Sequence, residues 1–197
     1  MKEKIKTKIK ELKKEFILQE ASSYIEESGY DSLKINELAK RCKVSVGYLY
    51  QLFESKEKLF YEYVIYQIRE FYNSLCEACK EIDSPDERLI VFTKMKLKIF
   101  KQKRDVIQDP VTGDPLFFMK LSKKDPSIII KEFLKPEFEK LSHLIPLKSN
   151  NFLKLSHIYS SYVLGYIQYC FNEDSIEDCD ENTSKEIFEN FLEGIKK

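Results

Sequence analysis

Residues 47–51 include three residues whose chemistry suits the reading of DNA base pairs. Gln51 offers a hydrogen-bond donor and an acceptor that together match adenine, and Tyr48 offers a ring edge that can contact a thymine methyl group. Gly47 lets the backbone approach DNA with no side chain in the way. These contacts require the three residues to lie on the exposed side of one helix that enters the major groove.

The local pattern predicts such a helix. Apolar and aromatic residues at positions 46, 49, 50 and 53 have a 0, 3, 4, 7 spacing, which places Leu49 and Phe53 toward the core. Ser45 is suited to cap the helix N-terminus, and Val44 is the apolar residue of the preceding turn. An earlier helix has one apolar face, formed by Ile35, Leu38 and Ala39. The sequence therefore predicts two short helices joined by a tight turn.

An ordered set of residues between 21 and 60 connects this region to a known family. The set is Ala21, Gly29, Tyr30, Ile35, Leu38, Ala39, Val44, Ser45, Gly47, Leu49, Tyr50, Phe53 and Lys56. It closely resembles the DNA-binding signature of the TetR (tetracycline-repressor) family of bacterial transcription regulators. The resemblance implies an N-terminal three-helix helix-turn-helix domain over residues 1–58. It also implies a C-terminal helical domain for ligand binding and dimerisation over residues 59–197.

The resemblance also implies which residues contact DNA. The family position that matches Tyr50 commonly touches phosphate or a methyl group, and the one that matches Lys56 commonly contacts phosphate. Ser45 is expected to donate to phosphate as well. The implied DNA-binding residues are Ser45, Val46, Gly47, Tyr48, Tyr50, Gln51 and Lys56.

Three residues depart from the family pattern. Lys43 stands at the usual turn glycine, where a left-handed backbone would cost a lysine about 1 kcal/mol relative to glycine. Lys34 stands where a threonine usually caps the first helix of the motif, so that cap is lost or supplied by another group. Leu52 stands where a polar residue is frequent, which removes one candidate DNA contact.

The N-terminus is rich in lysine, at positions 2, 4, 6, 8, 10, 13 and 14. Alternating positions do not stay on one face of a helix, so we expect the first few residues to be mobile. A solvated tail is the first interpretation. The alternative is an arm that follows DNA phosphates or enters the minor groove.

The composition limits the function classes. The formal net charge is zero, but residues 1–60 carry 13 Lys and Arg against 10 Asp and Glu, a local excess compatible with DNA binding. No apolar run of about 18 residues and no signal-peptide pattern occur, so we expect a cytoplasmic protein without membrane contact. We find no nucleophile–base set, no metal-ligand spacing and no Gly-rich phosphate loop, and therefore predict no enzyme, metal site or bound cofactor.

The remaining pattern is helical almost throughout, and we predict about nine helices. One helix should run from Lys56 to about Ile82, and Ser84 and Glu87 should cap the next, which ends near Arg104. Residues 109–115 are predicted as a turn, followed by a short helix over 116–121. A helix over 126–143 should kink or split at Pro136. The last two helices are expected over 151–172 and from Thr183 to about Ile195.

The C-terminal region has the composition of a ligand pocket, because most of the 26 Phe and Tyr residues lie beyond residue 60. Aromatic residues of this kind more often form plain core than a cavity lining. The resemblance implies an unidentified small-molecule effector. The candidate ligand-binding residues are Phe100, Phe117, Phe118, Tyr159, Tyr162 and Tyr166.

Five cysteines without regular spacing predict reduced thiols. Cys76 and Cys79 would share a helix face, and their first interpretation is small apolar filler. Thiol sensing by Cys76, Cys79 or Cys170 is the alternative.

A homodimer is expected because one recognition helix reads too few bases to be selective. Helix 151–172 is apolar on more than one side, with small residues that permit close helix approach. With helix 183–195 it would form a four-helix bundle across a twofold axis, although the same surfaces could instead pack inside one subunit. The residues of this surface are Ser156, Ser160, Ser161, Gly165, Ile187, Phe188, Phe191 and Leu192.

The sequence thus predicts a dimeric, ligand-responsive transcriptional repressor that binds a palindromic double-stranded DNA operator. One alternative is an accessory DNA-binding protein on the same fold without an effector. Another is a ligand-binding module that has lost DNA binding, an interpretation that Leu52 and Lys43 keep open. The effector, the operator and the sign of regulation do not follow from the residues.

Overall fold

The computed structural model describes residues 2–28, 32–102, 128–176 and 179–197. Every regular element in these ranges is a helix, apart from one isolated β-bridge between Leu147 and Lys196. The all-α class is therefore confirmed. The helices are α1 (Lys2–Ser28), α2 (Ile35–Arg41), α3 (Val46–Phe53), α4 (Lys56–Ala78), α5 (Pro85–Gln102), a π-helical segment (Ile129–Leu134), α6 (Lys135–Ser142), α7 (Phe152–Asn172) and α8 (Glu181–Ile195).

The chain divides into two compact units, and the described chain passes from the first unit to the second between Glu70 and Phe71 of α4. The first unit contains α1, α2, α3 and the first part of α4. The second contains the rest of α4 and all later described helices. The domain boundary predicted after residue 58 stays a prediction.

The first unit has one small apolar core, because each of its helices buries a single stripe. The second half of α1 contributes Ile17, Ala21 and Ile25, all at most 1% exposed. The other three helices pack against this stripe through residues at helical spacing. They are Leu38 and Ala39 of α2, Leu49, Leu52 and Phe53 of α3, and Leu59, Phe60 and Tyr63 of α4.

Helix α1 includes the lysine-rich N-terminus. This segment is helical from Lys2, and residues 2–13 are exposed, which agrees with a solvated segment; its mobility stays a prediction. The apolar residues between the lysines are spaced by four, three and four positions, which is a helical pattern. These apolar residues are exposed on α1, and they are Ile5, Ile9, Leu12 and Phe16.

The second unit is built around Tyr159 of α7. Its ring lies 4.8 Å from that of Phe191 and 5.6 Å, edge to face, from that of Phe138. Its hydroxyl hydrogen-bonds Thr93 and donates to the Leu89 carbonyl at 3.2 Å. Burial raises the pKa of Tyr159 well above its usual value, so the phenol stays neutral.

Helix α4 ends at Ala78, four residues before the predicted end at Ile82. Arg88 binds the backbone just beyond this end. Its Nη1 donates to the carbonyls of Cys79 at 3.0 Å and Ile82 at 3.2 Å. The same guanidinium forms an ion pair with the buried Glu137 at 2.9 Å. Arg88 therefore stabilises the turn that follows α4, which local periodicity does not show.

Two other boundaries test the cap predictions. Ser84 Oγ accepts from the Glu87 amide at 3.4 Å at the start of α5, which confirms that cap. The predicted start of the last helix at Thr183 is wrong, because Asp180 is the N-cap and accepts from the Thr183 amide at 2.9 Å. Thr183 completes the capping box from the third helical position.

Pro136 has the predicted effect. It lies in the first turn of α6, and the residues before it form the π-helical segment Ile129–Leu134 rather than a continuous α-helix. Proline has no amide hydrogen and cannot extend the preceding α-helical hydrogen-bond ladder. The predicted turn at 109–115, the helix over 116–121 and the end of α5 near Arg104 lie outside the described residues.

Candidate nucleic-acid interface

The turn between α2 and α3 has the geometry that the sequence pattern requires. Lys43 has a φ of 54°, so the left-handed backbone expected at this position is confirmed. The Val44 amide then donates to the Ala39 carbonyl at 3.0 Å, which closes the turn onto α2. A glycine would adopt this conformation without the steric cost that the lysine Cβ introduces.

The caps of the two helices differ. Ser45 is the N-cap of α3, and its Oγ accepts from the Tyr48 amide at 3.1 Å, as predicted. Lys34 occupies the N-cap position of α2 and makes no capping hydrogen bond with its side chain. The loss of the usual threonine cap is therefore confirmed, and the backbone carbonyl of Lys34 alone begins the helix.

The exposed side of α3 carries most of the predicted DNA-binding residues. Ser45, Gly47 and Gln51 are exposed, and Tyr50 is 47% exposed. A Cβ added at Gly47 would meet only Ser45 Oγ, at 4.0 Å, so the fold itself does not require glycine there. These four residues form one continuous surface that makes little contribution to the core.

Two of the residues predicted to contact DNA are less exposed. Val46 and Tyr48 are half-buried against the core of the first unit. The ammonium of Lys13 on α1 lies 5.6 Å from the centre of the Tyr48 ring. Tyr48 therefore packs against the core and lies near Lys13, so only part of its ring is accessible to a partner.

Leu52 is a core residue. It is 9% exposed and packs with Leu49 and Phe53 in the first unit. The burial agrees with the expectation that Leu52 makes no DNA contact, because this position lies on the inner side of α3 and not beside Gly47 and Gln51.

The N-terminus of α4 presents a second polar group near the motif in sequence. Ser55 Oγ accepts from the Lys58 amide at 3.1 Å, and Lys56 is the first residue of the helix and half-buried. A helix N-terminus carries partial positive charge from its unpaired amides, which favours phosphate. Lys56 would add a full charge at that point.

Acidic side chains of the first unit are neutralised by neighbouring cations. Hydrogen bonds from Lys40 and Arg41 lower the pKa values of Glu37 and Glu27, respectively, and Glu54 is paired with Lys58. Lys43 is exposed and makes no ion pair with a described residue. The side chain of Lys43 therefore presents a positive charge at the turn, which would attract a polyanion.

The predicted effector residues do not form one group. Tyr159 is fully buried and hydrogen-bonded in the core, whereas Tyr162, on the same helix, is 40% exposed. Phe100 packs on Phe171, and Tyr166 packs beside Tyr169. Phe117 and Phe118 lie outside the described residues.

One polar group in the second unit was missed by the sequence reasoning. Lys96 Nζ donates to Ser160 Oγ at 3.1 Å and lies 5.3 Å from the centre of the Phe92 ring. Burial lowers its pKa to about 8, and the contacts of its ammonium in the described chain are with neutral groups. The sequence does show a lysine close to the aromatic residues of α5. It does not show that α7 packs against this lysine, and the burial of Lys96 depends on that packing.

The predicted dimer helices differ in what they expose. Ile187, Phe188, Phe191 and Leu192 of α8 are buried in the core of their own unit, so the expectation that they form an intersubunit surface is wrong. Helix α7 keeps an exposed apolar side. A Cβ added at Gly165 would meet no atom within 4 Å, and the exposed apolar residues of α7 are Leu153, Ile158, Tyr162, Leu164 and Tyr169.

Comparisons with known proteins place this geometry in a family. Residues 17–63 match the family described as bacterial regulatory proteins, tetR family. A 73-residue segment is 32% identical to the HTH-type transcriptional regulator YuxN of Bacillus subtilis strain 168, and it covers 37% of this chain and 25% of that protein. The helix-turn-helix region of the chain thus matches the DNA-binding domain of the TetR family.

Solved structures of TetR-family proteins share the whole fold. A TetR-family regulator from Rhodococcus sp. aligns with a TM-score of 0.68 at 13% identity, over 94% of this chain and 98% of that one. A transcriptional regulator from Saccharomonospora viridis, solved in complex with choline, aligns with a TM-score of 0.65 at 15% identity, over 95% and 98% of the two chains. The family that residues 17–63 match consists of regulatory proteins rather than enzymes. No helix in the described ranges is long and apolar enough to cross a membrane.

Proposed function

We propose that this protein is a ligand-responsive transcriptional repressor that binds a palindromic DNA operator as a homodimer. The observation that carries the proposal is the outer side of α3. Ser45, Gly47, Tyr50 and Gln51 are presented to solvent on a helix of the right width for the major groove, and the core does not need them.

The proposed contacts have distinct roles. Gln51 reads a base edge, while Gly47 permits close approach of the helix. Tyr50 and Lys56 bind the backbone on either side, and the N-termini of α3 and α4 point amides toward phosphates. Val46 and Tyr48 contribute apolar contact from the margin of this surface.

The first experiment selects bound duplexes from a random DNA pool at near-physiological salt. Enrichment of an inverted repeat is the expected result, since two copies of α3 would read equivalent half-sites about 34 Å apart. Recovery of unenriched DNA would favour the accessory DNA-binding alternative, and recovery of no DNA would favour a module without DNA binding.

Variants then separate the recognition of bases from the electrostatic attraction to phosphates. Gln51→Ala should relax preference at one base pair, with Gln19→Ala on the exposed side of α1 as the matched control. Lys56→Ala should weaken binding to all sequences and reduce the slope of log K against log salt by about one. Lys135→Ala, an exposed lysine of the second unit, should leave that slope unchanged.

The exposed apolar side of α7 supports dimerisation through α7, with the polar side of α8 beside it. Ile158 and Leu164 are each 45% exposed, and the open space at Gly165 permits another helix to approach closely. Leu164→Glu should yield monomers in sedimentation analysis. Leu144→Glu changes an equally apolar residue, exposed outside α7, and should remain dimeric. A dimeric Leu164→Glu protein would exclude this interface.

The position of Lys96 supports an effector site in the second unit. A half-buried ammonium whose contacts in the described chain are neutral groups favours a ligand with an acidic group, held beside Phe92 and Ser160. Phe100, Tyr162 and Tyr166 are the remaining described candidates for the apolar part. The bound species would stabilise one of two conformations and change DNA affinity by about 1–3 kcal/mol.

A panel of carboxylic acids paired with their methyl esters tests this site by DNA release. Release by an acid, without release by its ester, is expected for the unaltered protein and for Lys98→Met, an exposed change on the same helix. Lys96→Met should abolish the difference. If no acid releases DNA from a protein that does bind an operator, the effector-free accessory role is favoured.

A further inference from the structure

Two cysteines meet at the junction between α7 and α8. Cys170 lies in the last turns of α7 and is 2% exposed. Cys179 is half-buried and immediately precedes Asp180, the N-cap of α8. Their Sγ atoms are 3.6 Å apart, which is direct contact between two thiols.

We propose that Cys170 and Cys179 form a reversible intramolecular disulfide when the protein meets a peroxide, so that the α7–α8 junction is a redox-sensitive modification site. The inference is independent of DNA binding and goes beyond the proposed regulatory function. It gives Cys170 and Cys179 a chemical role in addition to packing.

The reaction balances with hydrogen peroxide as the oxidant. The more accessible thiol, Cys179, attacks one peroxide oxygen as the thiolate, forms a sulfenic acid and releases hydroxide. The Cys170 thiolate then attacks the sulfenic sulfur and displaces its oxygen, which leaves as water once protonated. Two thiols and one peroxide give one disulfide and two waters, and an added dithiol reverses the reaction.

The junction can accommodate the bond. A disulfide needs an S–S separation of about 2.05 Å, so the sulfur atoms must approach by about 1.5 Å. Cys179 lies outside both helices, in a connection closed by short-range bonds such as Ser175 N–H to the Cys170 carbonyl at 2.8 Å. Cys170, by contrast, lies within α7.

The other thiols are less suited to the reaction. Burial raises the pKa of Cys42 to about 11 and raises that of Cys79, so both hold little thiolate at neutral pH. Cys76 lies on α4 and takes part in a hydrogen bond with Tyr72. Oxidation is therefore expected to select the 170–179 pair over the 76–79 pair that the sequence spacing highlights.

The test begins with the unaltered, fully reduced protein and stoichiometric hydrogen peroxide. The intact mass should fall by about 2 Da, as expected when two thiols become a disulfide, and a dithiol should restore it. Trypsin leaves both cysteines in one peptide, because no Lys or Arg lies between Leu155 and Lys185. Additional cleavage after Glu173 should therefore yield two fragments that stay joined until reduction.

Single substitutions identify the pair. Cys179→Ser should prevent the 2 Da loss, whereas Cys76→Ser, the matched control in the same unit, should retain it. A link that includes Cys42, Cys76 or Cys79, a disulfide between two chains, or oxygen addition without any link would overturn the proposal. The first experiment needs no variant, so misfolding of Cys179→Ser would not hide the answer.

Discussion

Helices α3 and α7 each bury one side and expose the other, but their exposed sides differ in chemistry. The open side of α3 carries Ser45, Gly47, Tyr50 and Gln51, whereas that of α7 carries Ile158, Leu164 and Tyr169 among polar residues. A polar side with hydrogen-bonding groups suits a hydrated, charged partner, and a side with several large apolar residues suits another protein surface. The same element is thus adapted to two kinds of partner by its outer residues alone.

The inner sides of the two helices also differ. Leu49, Leu52 and Phe53 place α3 in a small core, while Tyr159 places α7 among several aromatic rings and in a hydrogen-bond network. The core of the second unit therefore includes a polar network, and the described core of α3 is apolar. Four predictions probe this contrast, in order of decreasing effect.

Tyr159→Ala should destabilise the protein by about 3–5 kcal/mol, as is typical when a buried aromatic side chain is removed. Tyr162→Ala, on the exposed side of the same helix, should cost less than about 1.5 kcal/mol. Urea unfolding of both variants at one protein concentration measures the difference. Equal losses would mean that Tyr159 does not organise the second unit.

Lys96→Met should stabilise the protein by about 2–3 kcal/mol at pH 7 by removing a half-buried charge whose described contacts are neutral. The pKa of Lys96 is lowered from 10.5 to about 8, so between these values the unfolded chain binds more protons than the folded one. Stability should therefore rise with pH across this interval, through this residue. Unfolding at pH 7.5 to 9.5 should show that slope for the unaltered protein and Lys98→Met, but not for Lys96→Met.

Gly47→Ala and Gly165→Ala compare the two outer sides directly. A Cβ meets open space at both positions, so each alanine should stabilise the isolated chain by up to about 1 kcal/mol through helix propensity. Gly47→Ala should weaken DNA binding and leave dimerisation unchanged, and Gly165→Ala should weaken dimerisation first. A reversed pattern in binding and sedimentation experiments would exchange the roles of the two surfaces.

Lys43→Gly should stabilise the protein by about 0.5–1 kcal/mol, because glycine adopts the φ of 54° without steric cost. Lys34→Gly changes the same residue type at an extended position, with φ −102°, and should give no such gain. Thermal unfolding compares the two. A loss of stability in Lys43→Gly would show that the lysine side chain compensates for its backbone.

Local pattern predicted much of the first unit. The positions of Leu49 and Phe53, the Ser45 cap and the left-handed Lys43 follow from spacing and turn chemistry within a few residues. Tyr48 shows the limit of this reasoning. Its partial burial depends on Lys13, which lies 35 positions earlier in the chain and comes close only through the packing of α1.

The second unit was predicted less completely. Its helix types and the effect of Pro136 were correct, but α4 ends before the predicted residue, and Arg88, nine residues beyond Cys79, binds the turn that follows. The aromatic residues named as ligand contacts divide between the core and the surface, because helix periodicity does not specify which neighbour covers each side. The start of α8 shifted because Asp180 and Thr183 both offer capping oxygens, and only the folded backbone selects between them.

The sequence by itself determined the helical class, the helix-turn-helix and the resemblance of that motif to the TetR family, because short-range periodicity, caps and turn residues act within one or two turns of chain. The tertiary structure alone decided that Leu52 faces inward, that the apolar residues of α8 are buried in their own unit, that Lys96 lies against Ser160, and that Cys170 touches Cys179. Each of these depends on contacts between different helices or between a helix and the connection that follows it. The free energy of such contacts comes from burial, which no local pattern contains.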